Sequence, residues 1–180
     1  MTKTIKYTFA IILFSLSILA NTSAQKLKHL KGKPFPKEVL EAKLYTQTGE
    51  TIKFKKVLKK LKGNVIYLDF WASWCGPCNR EMPKSKKVQK YFKDKNVAFL
   101  YLSTDKEQEK WLNGLKRIDI KGHHYRITPE SKILFKNLFH IPGIPYYAII
   151  DKKGNISEPR ASWPREEKLL KEISNVLKNE

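Results

Sequence analysis

The sequence predicts a single α/β domain, with one mixed central sheet and helices on both of its faces. Three observations predict it. A chain of 180 residues holds one core and a leader, but not two enzyme domains of ordinary size. Apolar runs of strand length alternate with stripes of helical period through the middle of the chain, an order that builds parallel strands. A hairpin signal near the end then adds an antiparallel pair, which makes the sheet mixed.

The elements follow in order. Lys3 and Lys6 precede a 12-residue apolar run over residues 9–20, and Thr22-Ser23-Ala24 offers small residues for cleavage before Gln25. That is the layout of a secretory leader, too short to span a bilayer as a helix. An uncleaved leader would leave the same domain tethered outside the membrane. We assign residues 1–24 to a signal peptide, 25–34 to a basic linker and 35–180 to the folded domain. Residues 26–62 hold twelve Lys and three Glu, and are expected to supply little of the core. Within them residues 39–45 and 51–54 alternate apolar and polar types around Thr46-Gln47-Thr48-Gly49, which predicts an N-terminal β-hairpin. Leu58 and Leu61 would face inward on a short helix.

Val65-Ile66-Tyr67-Leu68-Asp69-Phe70 reads as a strand buried on both faces. Met82, Val88, Tyr91 and Phe92 mark the helix that follows, with Pro83 inside it. Residues 97–102 predict a strand, and Trp111, Leu112, Leu115 and Ile118 predict a helix capped by Thr104 or Asp105. His123-His124 beside Gly122 is expected in a surface loop, and His140 in a loop or at a rim. Thr128-Pro129 reads as an N-cap with proline in the first helical position, opening a helix through Leu134, Leu138 and Phe139. Residues 146–150 and 155–159 flank the turn Asp151-Lys152-Lys153-Gly154. Leu169, Leu170, Ile173 and Val176 make a closing amphipathic helix.

Composition narrows function. Four Trp, eight Tyr and nine Phe are enough to fill an interior, which excludes wholesale disorder. Two cysteines exclude a disulfide-stapled mini-protein and a cysteine-rich zinc module. Zinc wants four ligands, and His29, His123, His124 and His140 are the only supplements, so no metal is expected. The 36 basic against 17 acidic residues give +19, which would suit nucleic acid, but a leader that exports the chain argues against that partner. A solvated surface, with weak attraction to anionic membrane surfaces or acidic proteins, is the expectation.

The two cysteines carry the chemistry. Cys75 and Cys78 enclose Gly76-Pro77 between a predicted buried strand and a predicted helix. A helix N-terminus directs unpaired N–H groups and partial positive charge at Cys75, favouring the thiolate, which is the nucleophile. Cys78, one turn on, can reach back to resolve a mixed disulfide, and Pro77 costs the helix start no hydrogen bond.

The ten residues Asp69-Phe70-Trp71-Ala72-Ser73-Trp74-Cys75-Gly76-Pro77-Cys78 closely resemble the active-site segment of thioredoxins. The leader, the Lys-rich hairpin, Glu81-Met82-Pro83 and the Ile144-Pro145-Tyr146 segment resemble the TlpA/ResA-type envelope branch of that superfamily. The resemblance covers residue 35 to the C-terminus and implies a thioredoxin fold. Residues 103–139 are longer than a minimal thioredoxin needs, and resemble an insertion between the central strand-helix unit and the cis-proline. Asp69 then corresponds to a buried carboxylate that accepts the Cys78 proton, and Glu81 to an acidic residue that tunes the dithiol; the alternatives are a hydrogen-bonded strand-end Asp and a solvated helix residue. Ile144-Pro145 matches the cis-proline bond, where the Ile144 backbone could pair with an extended substrate. Trp74, Gly76 and Pro77 join Ile144 and Pro145 as expected substrate contacts, while Trp71 is expected in the core.

The expectation is a monomeric thiol-disulfide oxidoreductase of the bacterial envelope, acting on protein disulfides. It needs no cofactor beyond the redox-active Cys75–Cys78 pair. Gly76-Pro77 resembles the pair of reducing thioredoxins, near about −270 mV, which favours a reductant fed by a membrane thiol donor. Rival readings are weaker. A copper-chaperone relative would want wider cysteine spacing and a distal His, and a peroxiredoxin would put Thr or Ser where Ala72 stands. A thioredoxin-fold module that binds partners without turnover is the non-enzymatic alternative, and retention of both cysteines speaks against it.

Overall fold

A computed structural model describes residue 25 and residues 27–179, so the leader expected over residues 1–24 lies outside the described residues. Among these, eight strands form one sheet: β1 (Lys33–Pro34), β2 (Lys43–Tyr45), β3 (Thr51–Lys53), β4 (Val65–Trp71), β5 (Val97–Ser103), β6 (His123–Ile127), β7 (Tyr146–Ile150) and β8 (Asn155–Glu158). Their order across the sheet is β1-β8-β7-β4-β5-β6-β2-β3. Strands β4, β5 and β6 run parallel, and the other neighbours are antiparallel. The helices are α1 (Lys37–Leu40), α2 (Phe54–Lys60), α3 (Gly76–Tyr91), α4 (Gln108–Ile118), α5 (Pro129–Phe139) and α6 (Glu167–Lys178).

Alternation along β4 builds both cores. Ile66, Leu68 and Phe70 point to one face of the sheet, where Val39 of α1, Phe54 and Val57 of α2, and Phe135 and Phe139 of α5 cover them. Val65, Tyr67 and Trp71 point to the other, beneath Met82 of α3, Trp111 of α4 and Ile173 of α6. Asp69 belongs to this second series, and so it is carried into an apolar interior by strand geometry alone. Burying each large side chain contributes roughly 1.5–3 kcal/mol, so the sheet between its helix layers is the main source of stability.

Several expectations are corrected. The Lys-rich stretch is not poor in core residues: Phe35, Val39, Ala42, Leu44, Phe54, Val57 and Leu61 are all buried. On α2, Phe54, Val57 and Leu61 share one stripe while Lys55, Lys56, Lys59 and Lys60 stand in solvent, and Leu58 is only half-buried. Residues 39 and 40, the start of the expected hairpin strand, fall in α1, and among the expected hairpin residues only β2 and β3 pair with each other. Lys33 and Pro34, placed in the linker, form an edge strand against Ile156 and Asn155 of β8. Helix α4 begins after Glu107 rather than at Thr104 or Asp105. His123 and His124 lie not in a loop but on β6, parallel to β5, where the His124 ring stacks on Tyr101 at 4.8 Å.

Two local signals have clear physical causes. Thr128 Oγ1 accepts the Ser131 N–H at the start of α5, and Pro129 fills the first helical position, where an N–H would go unused. In the β7–β8 turn, Asp151 Oδ1 accepts the N–H groups of Lys153 and Asn155, and Gly154 takes φ +95°, which a side chain would resist.

Candidate active site

Strand β4 runs into α3 through Ala72-Ser73-Trp74, and this short connection is held from several sides. The Ser73 N–H and hydroxyl both donate to Asp105, at 2.9 and 2.7 Å. The Ser73 carbonyl accepts from Asn79 Nδ2 at 3.1 Å and from Arg117 Nη2 of α4 at 2.6 Å. Helix α4 reaches this close because residue 114 is glycine; a Cβ there would meet Ser73 Cβ at 2.5 Å. Asp105, read from sequence as a helix cap, is therefore a clamp on the loop that presents the cysteines. Its position just past β5 was the available signal, since sites of open α/β sheets gather beyond the carboxyl ends of parallel strands.

Cys75 is the N-cap of α3 and Cys78 lies in its first turn, and the two sulfurs form a disulfide. Cys75 Sγ accepts the Cys78 N–H at 3.2 Å, so a backbone donor and the positive end of the helix dipole already point at this sulfur. Cys75 retains 3% of its surface and Cys78 none, so an incoming sulfur can meet only the first. Beside them the Trp74 ring is 67% exposed, and Gly76 and Pro77 are exposed too, whereas Trp71 is wholly buried. The Ile144–Pro145 peptide is cis, and the Ile144 carbonyl lies 3.7 Å from Cys75 Sγ.

Asp69 and Glu81 sit below, on the same side of the sheet as Cys78. Asp69 is buried, and neither of its oxygens has a hydrogen-bond partner among the described residues. Burial pushes its pKa well above the ordinary carboxyl range, and the nearby Glu81 charge pushes it further. Tyr67, Tyr101 and Tyr147 share this interior, and burial raises all three phenols, so they stay neutral around the carboxyl. Glu81 is 2% exposed, not solvated. It accepts from the Arg165 N–H at 3.2 Å, from Arg165 Nη1 at 3.1 Å and from Lys84 Nζ at 3.3 Å. Arg165 in turn lies over the Trp163 ring at 4.3 Å. Sequence reasoning missed Arg165, because 84 residues separate it from Glu81 and no local pattern marks the pair.

Two sulfurs bridged at a helix start, one retaining some surface and one hidden on the face of the sheet that also buries an acid, define a class: a dithiol protein of thioredoxin architecture. Comparison with known proteins agrees. The family model described as thioredoxin-like matches residues 63–156. The chain belongs to this thioredoxin-like family. It is 34% identical over 124 residues to the thiol-disulfide oxidoreductase ResA of Bacillus thuringiensis, covering 67% of this chain and 70% of that protein. It is 33% identical over 105 residues to the ResA of Bacillus cereus, covering 58% of this chain and 59% of that one, which is less than two thirds of its length. A candidate thiol-disulfide oxidoreductase of Bacteroides vulgatus, solved in solution, superposes with TM-score 0.66 at 28% identity, covering 83% of this chain and 92% of its own.

Proposed function

We propose that the protein exchanges disulfides with other proteins as a reductant in the bacterial envelope. The observation that supports this most is the bridged Cys75–Cys78 pair, with the more accessible member at the N-cap of α3 receiving the Cys78 N–H. In the reduced form the Cys75 thiolate attacks one sulfur of a substrate disulfide. The Cys75–sulfur bond forms as the substrate bond breaks, and the leaving sulfur takes up a proton. Cys78 then gives its proton to Asp69, and the Cys78 thiolate attacks Cys75 Sγ. The pair closes, the second substrate thiol is released, and two electrons have passed to the substrate.

The remaining residues take roles around this step. Asp69 suits a proton acceptor because burial has raised its affinity for a proton toward that of a thiol, and Glu81 adds to this through its charge. The substrate chain would run along the Ile144 backbone before Pro145, flanked by Trp74, Gly76 and Pro77. A dithiol donor at the membrane resets the pair, and no cofactor beyond the two cysteines is needed. Gly76-Pro77 supports the reducing direction, the leader over residues 1–24 supports export, and the single-domain fold is consistent with a monomer.

Insulin reduction driven by dithiothreitol tests the mechanism. Cys75→Ser should bring turnover down to the uncatalysed rate, whereas Cys78→Ser should accumulate mixed disulfides on a non-reducing gel; undiminished turnover by the first variant contradicts it. A reduction potential near about −270 mV supports the reductant, and one near about −120 mV contradicts it.

A further inference from the structure

We infer that the protein selects disulfides whose cysteine is flanked by an apolar residue and then by acidic residues, and that Lys132 and Lys136 on α5 make that selection. The inference rests on the thiol-disulfide reading above and names the substrate class of the same site.

A groove of about 340 Å³ opens beside the dithiol. Its walls are the exposed Trp74 ring, Ile127 at the end of β6, and Ile141 and Ile144 of the loop that carries the cis peptide. Ile144 belongs both to this groove and to the contact with Cys75 Sγ, so a chain whose sulfur is engaged at Cys75 lays its neighbouring side chain there. The walls are apolar and fit an apolar side chain. Lys132 and Lys136 also line the groove, four residues apart and therefore on one face of α5. Both side chains are exposed, and neither ammonium group has an ion pair among the described residues.

The charge around the opening is one-sided. Arg80 lies against Gly76, and Arg117 of α4 donates to the Ser73 carbonyl. Asp69 is buried, Glu81 is paired with Arg165 and Lys84, and Asp105 is engaged by Ser73 and Ser103, while Glu130, exposed in the first turn of α5, turns back to the helix start at Thr128. Lys132 and Lys136 therefore line the groove, and Arg80 stands beside Gly76, with no carboxylate paired to either lysine among the described residues. A substrate chain with carboxylates one or two residues beyond its apolar side chain meets the two lysines. A basic chain meets like charge, so the groove rejects as well as attracts.

The test uses the reduced full domain and three short peptides, each joined to its copy by one disulfide. Their Cys-Leu core is followed by Glu-Glu, Gln-Gln or Lys-Lys, and second-order rate constants are measured at physiological salt. The expected order is acidic, neutral, basic, with about tenfold between the extremes. In the Lys132→Glu/Lys136→Glu double variant the order should invert. Lys86→Glu/Lys90→Glu removes the same charge at the same helical spacing on α3, across the sheet, and should leave the acid-to-base ratio within twofold of the original. Equal rates for the three peptides, or equal loss of preference in both double variants, overturns the inference and leaves only general attraction by the net charge. Bis(2-hydroxyethyl) disulfide separates the two levels. If the wild type reduces this small neutral compound but shows no charge order, the selection alone fails; if it reduces no disulfide at all, the redox reading falls with it.

Discussion

The two faces of the sheet are built from different chemistry. Beneath α1, α2 and α5 the interior is hydrocarbon, organised by phenylalanines: Phe54 meets Phe35 and Phe135 edge-on at 5.1 Å, and Phe70 meets Phe135 and Phe139 within 6 Å. Beneath α3, α4 and α6 the corresponding layer sets tyrosines, two acids and the dithiol among its apolar side chains. Some of its polar atoms are satisfied, as where the Tyr67 hydroxyl donates to the Ser162 carbonyl at 2.9 Å. Others are not, and Asp69 and the Tyr147 hydroxyl are buried with no hydrogen-bond partner among the described residues. An unpaired buried carboxyl opposes folding, so a face that carries one is organised for chemistry, while the other face supplies the stability that offsets it.

That contrast can be broken from either side. The largest effect is expected from Phe135→Ala, which opens a cavity in the hydrocarbon face at a cost of about 3–5 kcal/mol. The melting temperature should fall by about 10 °C, while the reduction potential of the dithiol stays as it was. A shift in potential matching the loss of stability would mean the faces are not separable. Next comes Asp69→Asn, with the opposite sign. In the folded state this carboxyl binds its proton far more tightly than the ordinary value of 3.8, so the wild type loses stability as pH rises above that value and up to the folded one. The variant escapes this loss. It should melt roughly 3 °C or more above the wild type at pH 8, with the gap closing toward pH 3.5, and it should resolve mixed disulfides more slowly. Parallel melting curves across that range would contradict the raised proton affinity of Asp69. The smallest effect is expected at the surface, where Lys53 and Lys55 lower the Glu41 carboxyl from 4.5 to about 2. This stabilising contribution is present above pH 4.5 and lost as pH falls through about 2. Because the group is exposed, Glu41→Gln should cost no more than about 2 °C at pH 7, and raised salt should remove the difference.

How much was legible in the sequence follows the range over which each interaction acts. Strand β4, the Thr128-Pro129 cap, the Asp151 turn and the cysteines at a helix start are local, and period, capping and turn chemistry specify them. Asp69 was legible too, since it interrupts an apolar run on a definite face of the strand. Strand β6 was not. Its sequence His123-His124-Tyr125-Arg126-Ile127 has no alternation to read, and its Arg126 is accommodated by distant partners that include the Tyr45 ring, the Gln108 side chain and the carbonyl of Lys106. The lysines of α2 hid a core stripe, because four charges drown three apolar positions in any average while leaving their spacing intact. The Arg165–Glu81 pair and the hold of Asp105 on Ser73 join segments 84 and 32 residues apart, and only the fold brings them together.

The account depends most on the difference between the two sulfurs. Its most direct measurement is iodoacetamide alkylation of the reduced protein as a function of pH, with the modified residue located by mass spectrometry. Cys75 should react almost alone, with a midpoint clearly below the ~8.5 of free cysteine. Modification of Cys78 first, or a Cys75 midpoint at or above that of the free amino acid, would contradict it.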